Sequence, residues 1–269
     1  MHTLFKGALG AALAISGASA SFNATETSDR LTLANGRLYA SLDKSIGAID
    51  LLSLDGQDLL GERTGNQGIG PYLDCYCTPS GFYTPGRIDP SYKLLTGNDT
   101  KGEPWGGIVM SETYPATGQV LEQYWFLRSS ETGLHTFSRV AYYNETTPFL
   151  RNLQELRTLF RPSTPLWTNL SSSDEQYAPL PYYNPAAVIP GREGDPVTVQ
   201  DATWFLPNES DPYVIQESSY FTKYTFSETW QDSKVHGFFA DGTYSDDGST
   251  FGAWLVMNTI GTSSQQTWS

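Results

Sequence analysis

The run RLTLANGRLYASLD, from Arg30 to Asp43, restricts the fold more than any other stretch of this 269-residue chain. Apolar and polar side chains alternate on both sides of an Asn35-Gly36 pair. Successive side chains of a strand point to opposite faces, and Asn-Gly suits the tight turn between two strands. The run is therefore predicted to be a β-hairpin with one buried face. Short alternating runs recur along the chain, among them QVLEQYWFLRSS, LHTFSRVAYYN, SKVHGFFADG and TFGAWLVMN, separated by turn residues. Long helical periodicity is scarce. The expected fold class is all-β, a sandwich of antiparallel sheets.

The first twenty residues are read apart from the fold. MHTLFKGALGAALAISGASA has a short cationic start at Lys6, an apolar run and the small-residue ending Ala18-Ser19-Ala20. That is the layout of a secretory leader, with cleavage expected after Ala20; the apolar run is too short to span a bilayer. A secreted, extracellular and soluble product is expected. Asn-x-Ser/Thr sequons at Asn23, Asn98, Asn144, Asn169 and Asn208 are candidate glycan sites on exposed loops. The formal charge of −13 disfavours nucleic acid and anionic membranes as partners. An anionic ligand could bind only where positive charge is gathered locally.

Cys75 and Cys77 stand one residue apart in DCYC. So close a pair disfavours a mutual disulfide, and the absence of a second pair disfavours zinc. Two half-buried thiols, or a cysteine whose partner is missing from this chain, are expected instead. Neither a metal nor a cofactor is implied.

Two segments are less regular. From Arg161 to Asp201 proline recurs without periodicity, but Trp167, Tyr177, Tyr182 and Tyr183 argue for an ordered binding loop. FLRNLQELRTLF is ambiguous, because leucines recur every three residues as on a helix while alternation would make a strand. Under both readings Arg157 and Arg161 share a side.

The common catalytic signatures G-x-S-x-G, H-E-x-x-H and the P-loop are absent. His135 and His236 have no neighbouring ligand pattern and are read as structural, His236 being the better functional candidate. Asp241, Asp246 and Asp247 lack the spacing of a calcium loop and are read as a hairpin turn. Paired carboxylates for glycoside hydrolysis cannot be recognised from sequence spacing. The cations are more informative. Arg157 and Arg161 could grip a uronate carboxylate with forked guanidinium groups, or make ordinary surface ion pairs. Lys223 sits among Tyr220, Phe221, Tyr224 and Phe226. Desolvation and nearby arginines would lower its proton affinity and make it a base; the plainer reading is a lysine whose stem lies along an edge strand.

At these residues the sequence resembles a known family. FLRNLQELRTLFRPSTPLW, with its E-L-R-x-x-x-R run, and SSYFTKYTFSETWQDSKVHGFFADGTYSDDGSTFGAWLVMN, with F-T-K-Y, are similar to the fungal rhamnogalacturonan lyases of polysaccharide lyase family 4, B-type. The resemblance runs from about Phe22 to Asn258. It implies a large β-sandwich related to mutarotase-like folds, followed by two smaller β domains. It also implies cleavage of rhamnogalacturonan I, the pectin backbone, by β-elimination between rhamnose and galacturonic acid, by a monomer. The family's catalytic lysine falls on Lys223 and its substrate-binding arginines on Arg157 and Arg161. The family's catalytic histidine belongs to a segment after GAWLVMN, where this chain reads TIGTSSQQTWS. The expected layout is thus a leader over residues 1–20, a catalytic sandwich over 21–259 that is cut short, and a tail over 260–269 unlike the family. Binding of acidic polysaccharide without catalysis is the alternative function.

Overall fold

The computed structural model describes residues 22–78, 81–115, 117–143, 154–173, 176–179, 203–205, 220–222 and 236–255. The expected leader, Lys223, Asn144, Asn208, most of the proline-rich loop and the tail lie outside the described residues.

The described residues form strands and no helix, as the alternating runs require. β1 (Asn23–Glu26), β2 (Arg30–Ala34), β3 (Leu38–Asp43), β4 (Ala48–Leu54) and β5 (Gln57–Asp58) make an antiparallel meander in chain order. The predicted hairpin is β2–β3. Gly36 takes a φ of 83°, which only a residue without a Cβ adopts cheaply. Asn35 is buried, and its side chain makes four hydrogen bonds. Its Oδ1 accepts from the backbone N–H of Arg37 and of Leu38, and its Nδ2 donates to the carbonyl of Arg128 at 2.8 Å and also to that of Glu131.

β6 (Ile69–Thr78) pairs with β7 (Gly81–Tyr83). β8 (Ser91–Asn98), β9 (Pro104–Thr113), β10 (Val120–Arg128) and β11 (His135–Ala141) form a second antiparallel sheet in the order β11-β10-β9-β8. Alternate residues of this sheet (Ile108, Met110, Trp125, Leu127) bury themselves against Leu31, Leu33, Leu42 and Ile49 of the meander. Sheet on sheet with an apolar filling is the sandwich that the sequence predicts. Trp125 is fully buried and donates its indole N–H to the Pro71 carbonyl at 2.8 Å, which ties this core to β6.

β12 (Gln154–Arg161) joins the free edge of β6, giving the order β12-β6-β7. The described part of the ambiguous leucine-rich segment is thus a strand, and its Leu159 packs against Ile69 and Tyr72 of β6. β13 (Asn169–Ser173), β14 (Gln176–Pro179), β17 (His236–Ala240) and β18 (Phe251–Leu255) form a sheet in the order β14-β13-β17-β18. β15 (Thr203–Phe205) and β16 (Tyr220–Thr222) pair as a two-stranded ribbon. The acidic run between β17 and β18 is a turn, as expected. Asp241 accepts from the N–H of Thr243 and Asp247 from that of Ser249, and these bonds hold both carboxyls below the ordinary aspartate range.

The reading of the cysteines is corrected. Cys75 and Cys77 are fully buried, not half-buried, and form a disulfide with each other. Both face one side of β6, where they pack with Leu73, Tyr83 and Leu121. The same region buries a polar network. Tyr83 donates its hydroxyl to Glu112, the Ile88 N–H donates to the other Glu112 oxygen at 2.9 Å, and the Leu73 N–H donates to Gln123. Burial first, and then the Glu112 charge, push the Tyr83 phenol far above its ordinary value.

Candidate active site

β12 carries both arginines, and its register on β6 sets where they stand. Leu156 lies opposite Cys75, Arg157 opposite Asp74, Thr158 opposite Leu73, Leu159 opposite Tyr72 and Arg161 opposite Ile69. Between the last two pairs β12 advances two residues while β6 advances three, so the extra residue sits in β6, at Gly70-Pro71. β12 itself runs on without insertion from Arg157 to Arg161. The bulge depends on a glycine. A Cβ at Gly70 would come within 2.8 Å of the Leu159 carbonyl oxygen and 2.9 Å of the Phe160 Cα, and its φ of 133° is open to few other residues.

Several contacts fix the lower half of β12. Leu159 packs against Ala48, Ile69 and Tyr72. Phe160 lies 6.1 Å from the Trp167 ring and 5.7 Å from that of Phe238. The Arg161 carbonyl accepts from the Gly68 N–H at 2.7 Å, and the Arg161 side chain is half-buried. Asp74, on β6, is 7% exposed and stands at the cross-strand position facing Arg157. The register thus sets Asp74 and Arg157 opposite each other across the strand pair. Sequence reasoning passed over Asp74 because its importance rests on register, which LDCYC does not encode. A shallow depression opens where β12 meets β10 and β11, bordered by Tyr72, Thr158, Tyr124 and Phe137.

The remaining candidates fall as follows. Lys223 lies just past β16 and outside the described residues, so its separation from the arginines is not defined. His135 stands exposed on β11 beside Glu131. His236 opens β17, paired in register with Leu255. Among the described residues no cluster of three or more His, Cys, Asp or Glu could hold a metal ion. Asn23 and Asn98 are exposed on β1 and β8. Asn169 is half-buried between β14 and β17 and donates its Nδ2 to the Thr168 hydroxyl at 3.0 Å.

Two comparisons place this arrangement among known proteins. Residues 166–267 match the family model described as "Probable rhamnogalacturonate lyase B middle domain". The chain is 58% identical over 250 residues to "Probable rhamnogalacturonate lyase B" of Aspergillus niger, covering 93% of this chain and 34% of that protein. It is 58% identical over 249 residues to "Rhamnogalacturonate lyase B" of Emericella nidulans, covering 92% of this chain and 36% of the relative. It is 54% identical over 239 residues to "Probable rhamnogalacturonate lyase C" of Aspergillus oryzae, covering 88% and 33%. The chain thus spans about a third of the curated relatives it matches. No solved structure matches it.

Proposed function

We propose, from the premise that this chain belongs to the fungal rhamnogalacturonate lyases, that it carries the uronate-binding half of an eliminative site. The substrate in this reading is rhamnogalacturonan I of pectin, met outside the cell by a secreted glycoprotein. The observation that carries it is the uninterrupted run of β12 from Arg157 to Arg161, fixed on β6, in a chain 58% identical to proteins named for this substrate.

The chemistry asked of these residues is definite. The proton at C5 of a galacturonate is weakly acidic because the adjacent carboxylate is already negative. Guanidinium groups at Arg157 and Arg161 neutralise that carboxylate and stabilise the enolate-like intermediate. Lys223 takes the C5 proton. The electron pair then forms the C4–C5 double bond, the bond from C4 to its glycosidic oxygen breaks, and that oxygen leaves with its electrons and gains a proton. The products are an unsaturated uronate and a new rhamnose end.

The test is incubation of the chain with rhamnogalacturonan while the ultraviolet absorbance of unsaturated uronate is followed. Absorbance that grows with time supports elimination. New reducing ends without absorbance mean hydrolysis and overturn the reading. Retention on the polymer with neither product supports a sandwich that binds acidic polysaccharide without cleaving it.

A further inference from the structure

One face of the sheet β11-β10-β9-β8 packs into the core, and the other carries aromatic rings among charged and polar side chains. On the outer face four rings form a strip across the strands. Phe137 stacks on Tyr124 at 4.1 Å, Phe126 lies 5.9 Å from Phe137, and Trp105 lies 5.8 Å beyond Phe126. The planes of Tyr124, Phe126 and Phe137 agree within 14°. Phe137 is 52% exposed and Tyr143, beside Arg139, is 66% exposed.

Two glycines underlie the strip. A Cβ at Gly97 would come within 2.8 Å of the Trp105 ring, and one at Gly107 would run into Phe126. Bare backbone at these points lets the rings settle on the sheet. A strand needs no such arrangement to stay folded, since the opposite face already supplies the core. Phe137 is the exposed ring of the strip and Trp105, Tyr124 and Phe126 are half-buried; a contiguous aromatic strip that reaches the surface marks a binding site.

The charges around the strip select the ligand. Lys93, Arg128 and Arg139 stand on or beside this face, against Glu122 and Glu131. Arg128 is paired with Glu131 and Arg139 with Glu122, so Lys93 is the cation of this face that stands outside those two pairs. Arg139 is held in place by donating to Glu122 at 2.7 Å and to the Tyr143 hydroxyl. Pyranose rings present a C–H face that packs on aromatic rings, and a rim of hydroxyl and carboxylate groups that seeks donors.

We propose that this face is a second carbohydrate-binding surface, a platform for an extended acidic polysaccharide, distinct from the arginine strand. The C–H faces of the sugars lie on the aromatic strip and their carboxylates meet Lys93, Arg128 and Arg139. The Tyr124–Phe137 end of the strip borders the same depression as Thr158, the residue after Arg157, so a chain laid along it leads toward β12. The inference rests on the proposed function only for the identity of the polymer; the platform itself requires no turnover.

Affinity electrophoresis of the full chain in gels holding polygalacturonate, rhamnogalacturonan or uncharged galactan tests it. The two acidic polymers should retard the chain more than galactan does, and added salt should weaken the retardation. Trp105→Ala with Phe137→Ala should weaken it about tenfold, with β-sheet circular dichroism retained. If that double variant does not fold, Phe137→Ala and Lys93→Gln, made singly at exposed positions, take its place and should each weaken retardation. Arg157→Ala with Arg161→Ala should weaken retardation less than the ring variants do and should abolish elimination, which separates failure of the platform from failure of the lyase reading. Unchanged retardation in the ring variants, or its loss only in the arginine variants, overturns the proposal. So does a dimer that Phe137→Ala splits without any polymer being retained, because a second copy is then the occupant of the face.

Discussion

The N-terminal meander and the β12–β6 pair are both antiparallel, yet they use the pairing differently. In the hairpin β2–β3 the register runs without a break from Arg30↔Asp43 to Ala34↔Tyr39, and leucines fill one face. In β12–β6 the register slips at two places, the bulge needs Gly70, and a buried aspartate faces an arginine. Regular pairing hides apolar surface, whereas irregular pairing re-aims side chains at an expense in stability. The β3–β4 pair of the meander also slips once, at Ser41/Leu42, so the contrast lies between the β2–β3 hairpin, built to hold, and β12, built to present.

Trp125 joins the two regions, so its removal should produce the largest effect. The side chain fills the core beneath the meander and its N–H holds Pro71 of β6. Trp125→Ala is expected to destabilise the chain by about 3–5 kcal/mol, read by urea unfolding. A loss below about 1 kcal/mol would mean that the meander and β6 are independent units.

The next largest effect separates presentation from support. Arg161→Ala leaves the Gly68-to-Arg161 backbone bond intact, so the unfolding midpoint should move little. If elimination occurs, its rate should fall about 10²–10³-fold, the usual loss when one group that stabilises a developing oxyanion is removed. A fall in midpoint as large as that of Trp125→Ala would place Arg161 among the supports and erase the distinction.

How much of this the sequence discloses follows the same division. The Asn35-Gly36 hairpin and the sandwich class are legible because alternation and turn chemistry are local. β12 is undecidable in isolation: FLRNLQELRTLF satisfies both periods, and only the edge of β6 selects the strand. Asp74 is hidden for the same reason, since a cross-strand neighbour is a property of register. The cysteines mislead because a pair so close along the chain is seldom bonded. The aromatic strip on the outer face of β10 has a trace in the sequence. LEQYWFL is apolar at consecutive positions, which a strand buried on one face does not need.

A third effect of middle size tests the buried network behind β6. Tyr83→Phe strips Glu112 of its hydroxyl donor and leaves a buried carboxylate under-satisfied, at a cost of about 1–3 kcal/mol. The pH dependence has a definite sign. The folded-state phenol is raised above its unfolded value, so its contribution is complete below about pH 10 and declines as pH climbs beyond that point. Alkaline unfolding followed by fluorescence should therefore be steeper in the native chain than in Tyr83→Phe. Some steepness should persist from Tyr92, whose phenol is raised mainly by its burial.

The smallest effect probes the regular region. Asn35 accepts two turn N–H groups and donates to Arg128 and Glu131 at the β10–β11 turn. In Asn35→Ala those two carbonyls lose the amide donor and the buried Leu38 N–H loses its acceptor, while water can replace the acceptor at the exposed Arg37. The hairpin register, set by leucines on β2 and β3, needs nothing from this side chain. The expected loss is about 1 kcal/mol, with β2–β3 amides still protected from hydrogen exchange and the β10–β11 turn amides exposed. If β2–β3 protection fell instead, the hairpin would depend on its turn rather than on its buried face. The meander would then be as conditional as β12, and the contrast between the two regions would not hold.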